Sequence, residues 1–168
     1  MAEAHREAQA VRERARLYGN AGSHREVKGG WGSTNCYGYA IGLDYVLQPG
    51  EKSGNKITAN QVSNVGIVAF RIMDDIKAMG GSARIISLDG EIGPDEYRIA
   101  VRCGERDYHV MVQNNDGTWS EKHGNAGDSL QHEIGWTPDQ DTWDMNEGDG
   151  YYDSDVIYIA VKAPTGGF

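Results

Sequence analysis

Residues 107–123 read DYHVMVQNNDGTWSEKH, and their pairing decides much of the predicted fold. Two β-prone runs flank Asn-Asp-Gly, a combination typical of a β-hairpin turn. If the turn is a three-residue loop with its glycine in the left-handed region, Met111 lies opposite Glu121 and His109 opposite His123. Because side chains alternate along a strand, His109, Glu121 and His123 then share one face.

The same register places Gln113 opposite Trp119. A loop of two or four residues shifts the pairing by one position and turns Ser120 and Lys122 toward His109 instead. The group that faces His109 is therefore the part of the pattern most sensitive to loop length.

Helical patterns precede the strands, and turn signals separate the strands from one another. This order predicts an α+β fold with helices on one side of an antiparallel meander. Helices are predicted at 2–18, from 36 to 47 and from 62 to 79, and strands at 83–88, 97–103, 107–113, 118–123 and 155–162.

Cys36 follows Ser-Thr-Asn, residues that favour a helix N-cap, and therefore lies in the first turn of a predicted helix. The positive end of a helix lowers a thiol pKa, and an adjacent imidazole completes a nucleophile and base pair. His109 is the candidate base. The alternative is a buried structural cysteine, since free cysteine often packs as a small apolar residue. We interpret Cys103, on a strand, as packing.

The chain has 168 residues, 39% of them hydrophobic, and a net charge of -9. One domain at 26–168 with a helical extension at 1–25 fits this length. The acidic balance argues against nucleic acid and anionic membrane as partners, because both require clustered basic residues. The acidic charge is compatible with a protein partner or inhibitor that binds the acidic surface.

Two cysteines are too few for a disulfide framework, and the N-terminal segment lacks the apolar run of a signal peptide. We therefore expect a chain that is cytoplasmic as synthesised, with export by a route without a cleavable signal as the alternative.

We expect no metal and no organic cofactor. Cysteine and histidine are zinc-binding residue types, and a zinc site could use Cys36, His109 and His123. No Cys-x-x-Cys or His-x-x-x-His spacing, however, supports a preformed site. His132 lies in a polar context and is predicted at the surface. The acidic segment at 125–152 is long for a loop without periodicity, which indicates a flap or an insertion.

The segments at 35–40, 107–109 and 116–120 together resemble the papain-like cysteine peptidase and amidase superfamily. The similarity is to its compact bacterial NlpC-like and transglutaminase-like types, and to an uncharacterised bacterial family with an Asn-Cys-Tyr-x-Tyr-Ala motif. It covers roughly residues 30 to 125 and implies a papain-like fold for the domain.

The resemblance implies Cys36 as nucleophile, His109 as general base and a polar residue that orients His109. By analogy with NlpC-like members the third residue is Glu121, with His123 as its alternative. The later position of the asparagine in plant-type relatives points to Asn125.

The papain-type glutamine that helps to bind the oxyanion has no counterpart shortly before Cys36. Gly30, Trp31 and Gly32 occupy that region, so Trp31 is a candidate for substrate contact. The oxyanion would rely on the Cys36 backbone N–H and a further donor such as the Asn35 side chain.

The predicted function is hydrolysis of an amide bond in a peptide, protein or peptidoglycan-like substrate through a thioester acyl-enzyme. The first alternative is a glutamine deamidase or transglutaminase-type effector toxin. The second is a binding module without catalysis.

Overall fold

The computed structural model describes residues 2–30, 33–144 and 150–168. Within these ranges the fold is α+β, which confirms the predicted class. The helices are α1 (Ala2–Tyr18), α2 (Cys36–Ala40) and α3 (Val65–Ala78). The strands are β1 (Ser82–Ile86), β2 (Tyr97–Cys103), β3 (Tyr108–Gln113), β4 (Trp119–Lys122), β5 (Ser129–Gln131), β6 (Trp143–Asp144), β7 (Tyr151–Tyr152) and β8 (Ile157–Lys162).

Six strands form one antiparallel sheet in the order β1-β8-β2-β3-β4-β5. The predicted meander is wrong at one point, because β8 lies between β1 and β2. Residues 158–161 of β8 are all buried. A strand covered on both faces belongs at the centre of a sheet, where both of its edges also find hydrogen-bond partners.

The hairpin of β3 and β4 has the predicted register. Met111 pairs with Glu121 and Gln113 with Trp119. Gly117 has a φ of 89°, in the left-handed region, and the Asn114 N–H donates to the carbonyl oxygen of Thr118 at 2.7 Å. The three-residue loop therefore sets which side chains share the face of His109.

Helix α2 is shorter than predicted and ends at Ala40 rather than near residue 47. Gly42 adopts a φ of 81°, and the Leu43 N–H donates to the Gly38 carbonyl oxygen at 2.8 Å. This left-handed closure stops the helix after little more than one turn. The apolar spacing beyond Ala40 reflects burial of a loop and not a continuing helix.

Helix α3 begins at Val65, where the Asn64 side chain accepts a hydrogen bond from the Ile67 N–H. The predicted start near residue 62 is early because Thr58 and Gln61 form a separate turn before the helix. The buried stripe of α3 contains Val68, Ala69, Ile72 and Ile76 and packs on the sheet.

Among the described residues, an apolar core lies on each face of the main sheet. The larger core joins α2 and α3 to residues such as Tyr108, Val110 and Val112 of β3. The smaller core includes Met111, Trp119, Trp143, Tyr152 and Tyr158. The alternation of β3 side chains between these cores decides the surroundings of His109.

Helix α1 lies at residues 2–18, as predicted, and nearly all of its side chains are exposed where the structure describes them. Its last turn contacts the sheet through the Leu17 carbonyl oxygen, which accepts from the Arg98 guanidinium of β2 at 3.2 Å. The Arg16 carbonyl oxygen accepts from the Ile92 N–H in the loop between β1 and β2. The boundary of the helical extension at residue 25 stays a prediction. None of the helices in the described ranges is long and apolar enough to cross a membrane.

Candidate functional site

Cys36 is the first residue of α2, as predicted, and its side chain is nearly buried, with 6% of the residue exposed. Asn35 is the N-cap and accepts from the Gly38 N–H at 3.0 Å. The backbone N–H groups of Val110 and Tyr37 lie close enough to the thiol to lower its pKa. The thiol thus meets strand β3 next to the position of His109.

The electrostatic surroundings of Cys36 differ from the prediction. Burial raises the pKa of the Cys36 thiol to about 12, and the negative charge of Asp107 adds to the rise. The two backbone N–H groups oppose these effects but do not outweigh them. A helix of five residues carries little dipole to offset the loss of water. These surroundings favour a neutral thiol near pH 7, whereas the helix N-terminus alone favours a thiolate.

His109 is almost fully buried and is the second residue of β3. Its Nε2 lies 3.0 Å from Oε1 of Glu121. Because a carboxylate only accepts, Nε2 carries the proton and Nδ1 is the nitrogen free to accept one. The ring lies between the rings of His123 and Tyr152, with centroid distances of 4.8 and 5.2 Å, and meets Trp143 edge-on.

Glu121 is the hub of the site, because three imidazoles contact its carboxylate. His123 Nε2 lies 2.6 Å from Oε1, and His132 Nε2 hydrogen-bonds Oε2. Burial alone raises the pKa of the Glu121 carboxyl, yet the hydrogen bonds from the three histidines hold that pKa well below its usual range. The hydrogen bond with Glu121 in turn raises the pKa of His123. The carboxylate is ionised despite its burial.

Cys36 lies near β3, the strand that carries His109, but the two side chains do not form a hydrogen-bonded pair. No hydrogen bond joins the thiol to the imidazole among the described residues. Cys36 belongs to the helix-side core, and the ring contacts of His109 are with residues of the opposite face. The structure therefore does not bring the Cys36 thiol and the His109 imidazole together, and proton transfer between them requires one of the two side chains to move.

Three further residues predicted for the site either do not take their predicted role or lie outside the described ranges. Asn35 does not fit the role of oxyanion donor, since its Nδ2 donates to the Leu47 carbonyl oxygen at 2.8 Å and its Oδ1 accepts from backbone. Asn125 follows the end of β4, and its buried Oδ1 has no partner. It therefore makes no bond that orients His109. Trp31 lies outside the described residues.

His132 is the residue that sequence reasoning missed. It was expected at the surface, whereas its ring stacks on Trp136 at a centroid distance of 3.6 Å and its Nε2 binds Glu121. It lies directly after β5, a strand of three residues whose sequence has no strong pattern. The only signal was its position in a segment too long to be a simple loop.

Part of the acidic segment packs over the site. Trp143 and Tyr152 come from its short hairpin β6–β7 and cover the ring of His109. Arg102, opposite His109 on β2, donates to the carbonyl oxygens of Gln140 and Asp141 at 2.8 and 2.6 Å. Residues 145–149 of this segment lie outside the described ranges.

Comparison of the chain with protein-family models, with curated proteins and with solved structures finds no match.

Proposed function

We propose that the protein is a cysteine-dependent amide hydrolase that acts on a peptide, protein or peptidoglycan-like substrate. The observation that carries the proposal is the Nε2–Oε1 contact of 3.0 Å between His109 and the buried, ionised Glu121. The next residue of the strand, Val110, contacts the Cys36 thiol through its backbone N–H. A base whose tautomer is held in this way is the second element of a nucleophile, base and orienter set.

In the proposed reaction, Nδ1 of His109 takes the proton from the Cys36 thiol as the sulfur attacks the substrate carbonyl. The S–C bond forms, the C–N bond of the amide breaks, and His109 returns the proton to the leaving amine. Water, deprotonated by the same nitrogen, then attacks the thioester. The S–C bond breaks, a carboxylic acid is released, and His109 returns the proton to the Cys36 sulfur. The buried carboxylate of Glu121 stabilises the imidazolium that forms in each step.

The raised pKa of Cys36 determines how the nucleophile is activated. A neutral thiol cannot attack without simultaneous proton removal, so His109 acts as a general base and not as the partner of a stored ion pair. The developing oxyanion can use the backbone N–H of Cys36, which lies in the first turn of α2, where N–H groups have no partner within the helix. Asn35 is not available for this purpose.

A second candidate function is a binding module in which Cys36 is structural. The near-complete burial of the thiol and its raised pKa favour this alternative. The buried histidines around Glu121 would then serve to neutralise a carboxylate within the smaller core.

The two functions separate in one experiment. Wild-type protein, Cys36→Ala and the matched control Cys103→Ala are incubated with casein and with a digest of peptidoglycan, and both substrates and intact protein are analysed by mass spectrometry. The hydrolase predicts cleavage and a trapped acyl adduct on Cys36, both present in Cys103→Ala and absent from Cys36→Ala. Turnover that survives Cys36→Ala in a folded protein would exclude the proposal.

A further inference from the structure

We propose that His109, Glu121 and His123 form a binding site for a divalent transition-metal ion of the zinc type, and that metal binding blocks hydrolysis. The first part stands on geometry alone, and the second part rests on the proposed function.

The ligand atoms already converge. One ligand atom from each of the three residues lies within 4.8 Å of the others. Tetrahedral zinc with bonds of about 2.0–2.1 Å holds neighbouring ligand atoms about 3.3 Å apart. The contacts of 3.0 and 2.6 Å to Oε1 therefore need to open by less than about 1 Å when an ion enters between them.

The donor set suits such an ion. Two imidazole nitrogens and one carboxylate oxygen are the protein ligands of catalytic-type zinc sites, which keep a fourth position open. Hard cations such as calcium and magnesium prefer oxygen ligands in larger number, which this cluster does not supply. The set therefore selects a transition metal.

The support of the ligands is also in place. His109 and Glu121 come from neighbouring strands, and His123 follows directly after β4, so the backbone spacing is set by the sheet. His132 binds the other carboxylate oxygen and stacks on Trp136. An outer hydrogen bond of this kind orients a ligating carboxylate and strengthens metal binding. It leaves Oε1 available to the ion.

Occupation of the site is incompatible with the proposed catalysis. The ion takes the place of the proton on Nε2 of His109 and breaks its hydrogen bond to Glu121. The imidazole thereby loses the carboxylate contact that orients it as a general base in the proposed reaction. Metal binding should consequently act as a reversible off-switch.

Calorimetric titration with zinc chloride tests the site in the full chain, and the Cys36→Ala variant serves as the protein so that hydrolysis plays no part. We expect one ion per chain. His123→Ala should remove measurable binding, because it deletes a ligand whose side chain is one-quarter exposed. His132→Ala should weaken binding about 10- to 100-fold. His5→Ala, on the exposed helix α1, is the matched control and should change nothing.

Cobalt(II) gives a second readout, since a tetrahedral site produces visible absorption that zinc then abolishes. Absence of stoichiometric binding, or binding that is equal with and without His123→Ala in the Cys36→Ala protein, overturns the site. If zinc binds but leaves Cys36-dependent turnover unchanged or raises it, the off-switch is refuted while the site stands. If zinc binds and no Cys36-dependent turnover exists, the hydrolase has failed and the metal site has not.

Discussion

Alkylation of Cys36 tests the structural account of its burial. The experiment uses the Cys103→Ala protein, in which Cys36 is the only thiol, and measures the second-order rate with iodoacetamide at pH 7. Burial and the charge of Asp107 raise the pKa of this thiol from 9.0 to about 12. Three pKa units lower the thiolate fraction about 1000-fold at pH 7. We therefore expect a rate about 1000-fold below that of an unperturbed thiol, before any steric shielding is added.

Glutathione and the same protein unfolded in urea provide the two reference rates. The unfolded protein should react as glutathione does, which shows that the slow rate belongs to the fold. A folded-state rate within tenfold of glutathione would refute the reasoning, because it requires a thiolate that the surroundings of Cys36 do not stabilise. It would instead indicate that His109 holds a proton from the thiol at rest.

The remaining predictions concern stability and the covering of the site. Asp75→Ala should lower the free energy of unfolding by about 3–5 kcal/mol in urea titrations, because the buried carboxylate accepts from a tyrosine hydroxyl and two backbone N–H groups. The control Asp74→Ala should change the free energy of unfolding by less than about 0.5 kcal/mol. Equal effects of the two substitutions would contradict this reasoning. The free energy of unfolding should fall above pH 9, by up to about 1.4 kcal/mol per pH unit from Cys36 alone. The pKa of Cys36 is higher in the folded protein than in the unfolded chain. Its contribution to stability is therefore complete below the unfolded pKa and is lost as the pH rises toward the folded pKa of about 12. Cys36→Ala should flatten this pH dependence, and an identical slope would count against it. Arg102→Met should release the carbonyl groups that hold the acidic segment and shift the fluorescence of Trp143 to longer wavelength; an unchanged spectrum would show that the segment needs no such anchor.

Local patterns predicted the parts of the fold that depend on local chemistry. The register of β3 and β4 follows from one loop and its left-handed Gly117, so the shared face of His109 and Glu121 was predictable. Helix α1 and strand β2 also lie where periodicity and turn signals place them.

Features that depend on distant parts of the chain were not predictable. The insertion of β8 between β1 and β2 depends on pairing across dozens of residues, and no local pattern encodes it. The role of His132 depends in the same way on a short strand that pairs with β4. The early end of α2 had a local cause in Gly42, but the apolar spacing beyond it was stronger than that signal.

The candidate site also combines features that local patterns predict with features that depend on three-dimensional packing. The proximity of Glu121 to His109 came from register, whereas the depth of Cys36 and the use of Asn35 as a scaffold depend on three-dimensional packing. The catalytic roles of Cys36 and His109 stay predictions.

The central position of β8 has a consequence for synthesis on the ribosome. Until residues 157–162 have left the exit tunnel, β1 and β2 each present an open edge to the surrounding solution. The hairpin of β2 and β3 can form early, but the sheet closes only when β8 slots between its two partners. A nascent or truncated chain that lacks this strand should therefore be prone to aggregation and a natural client of chaperones.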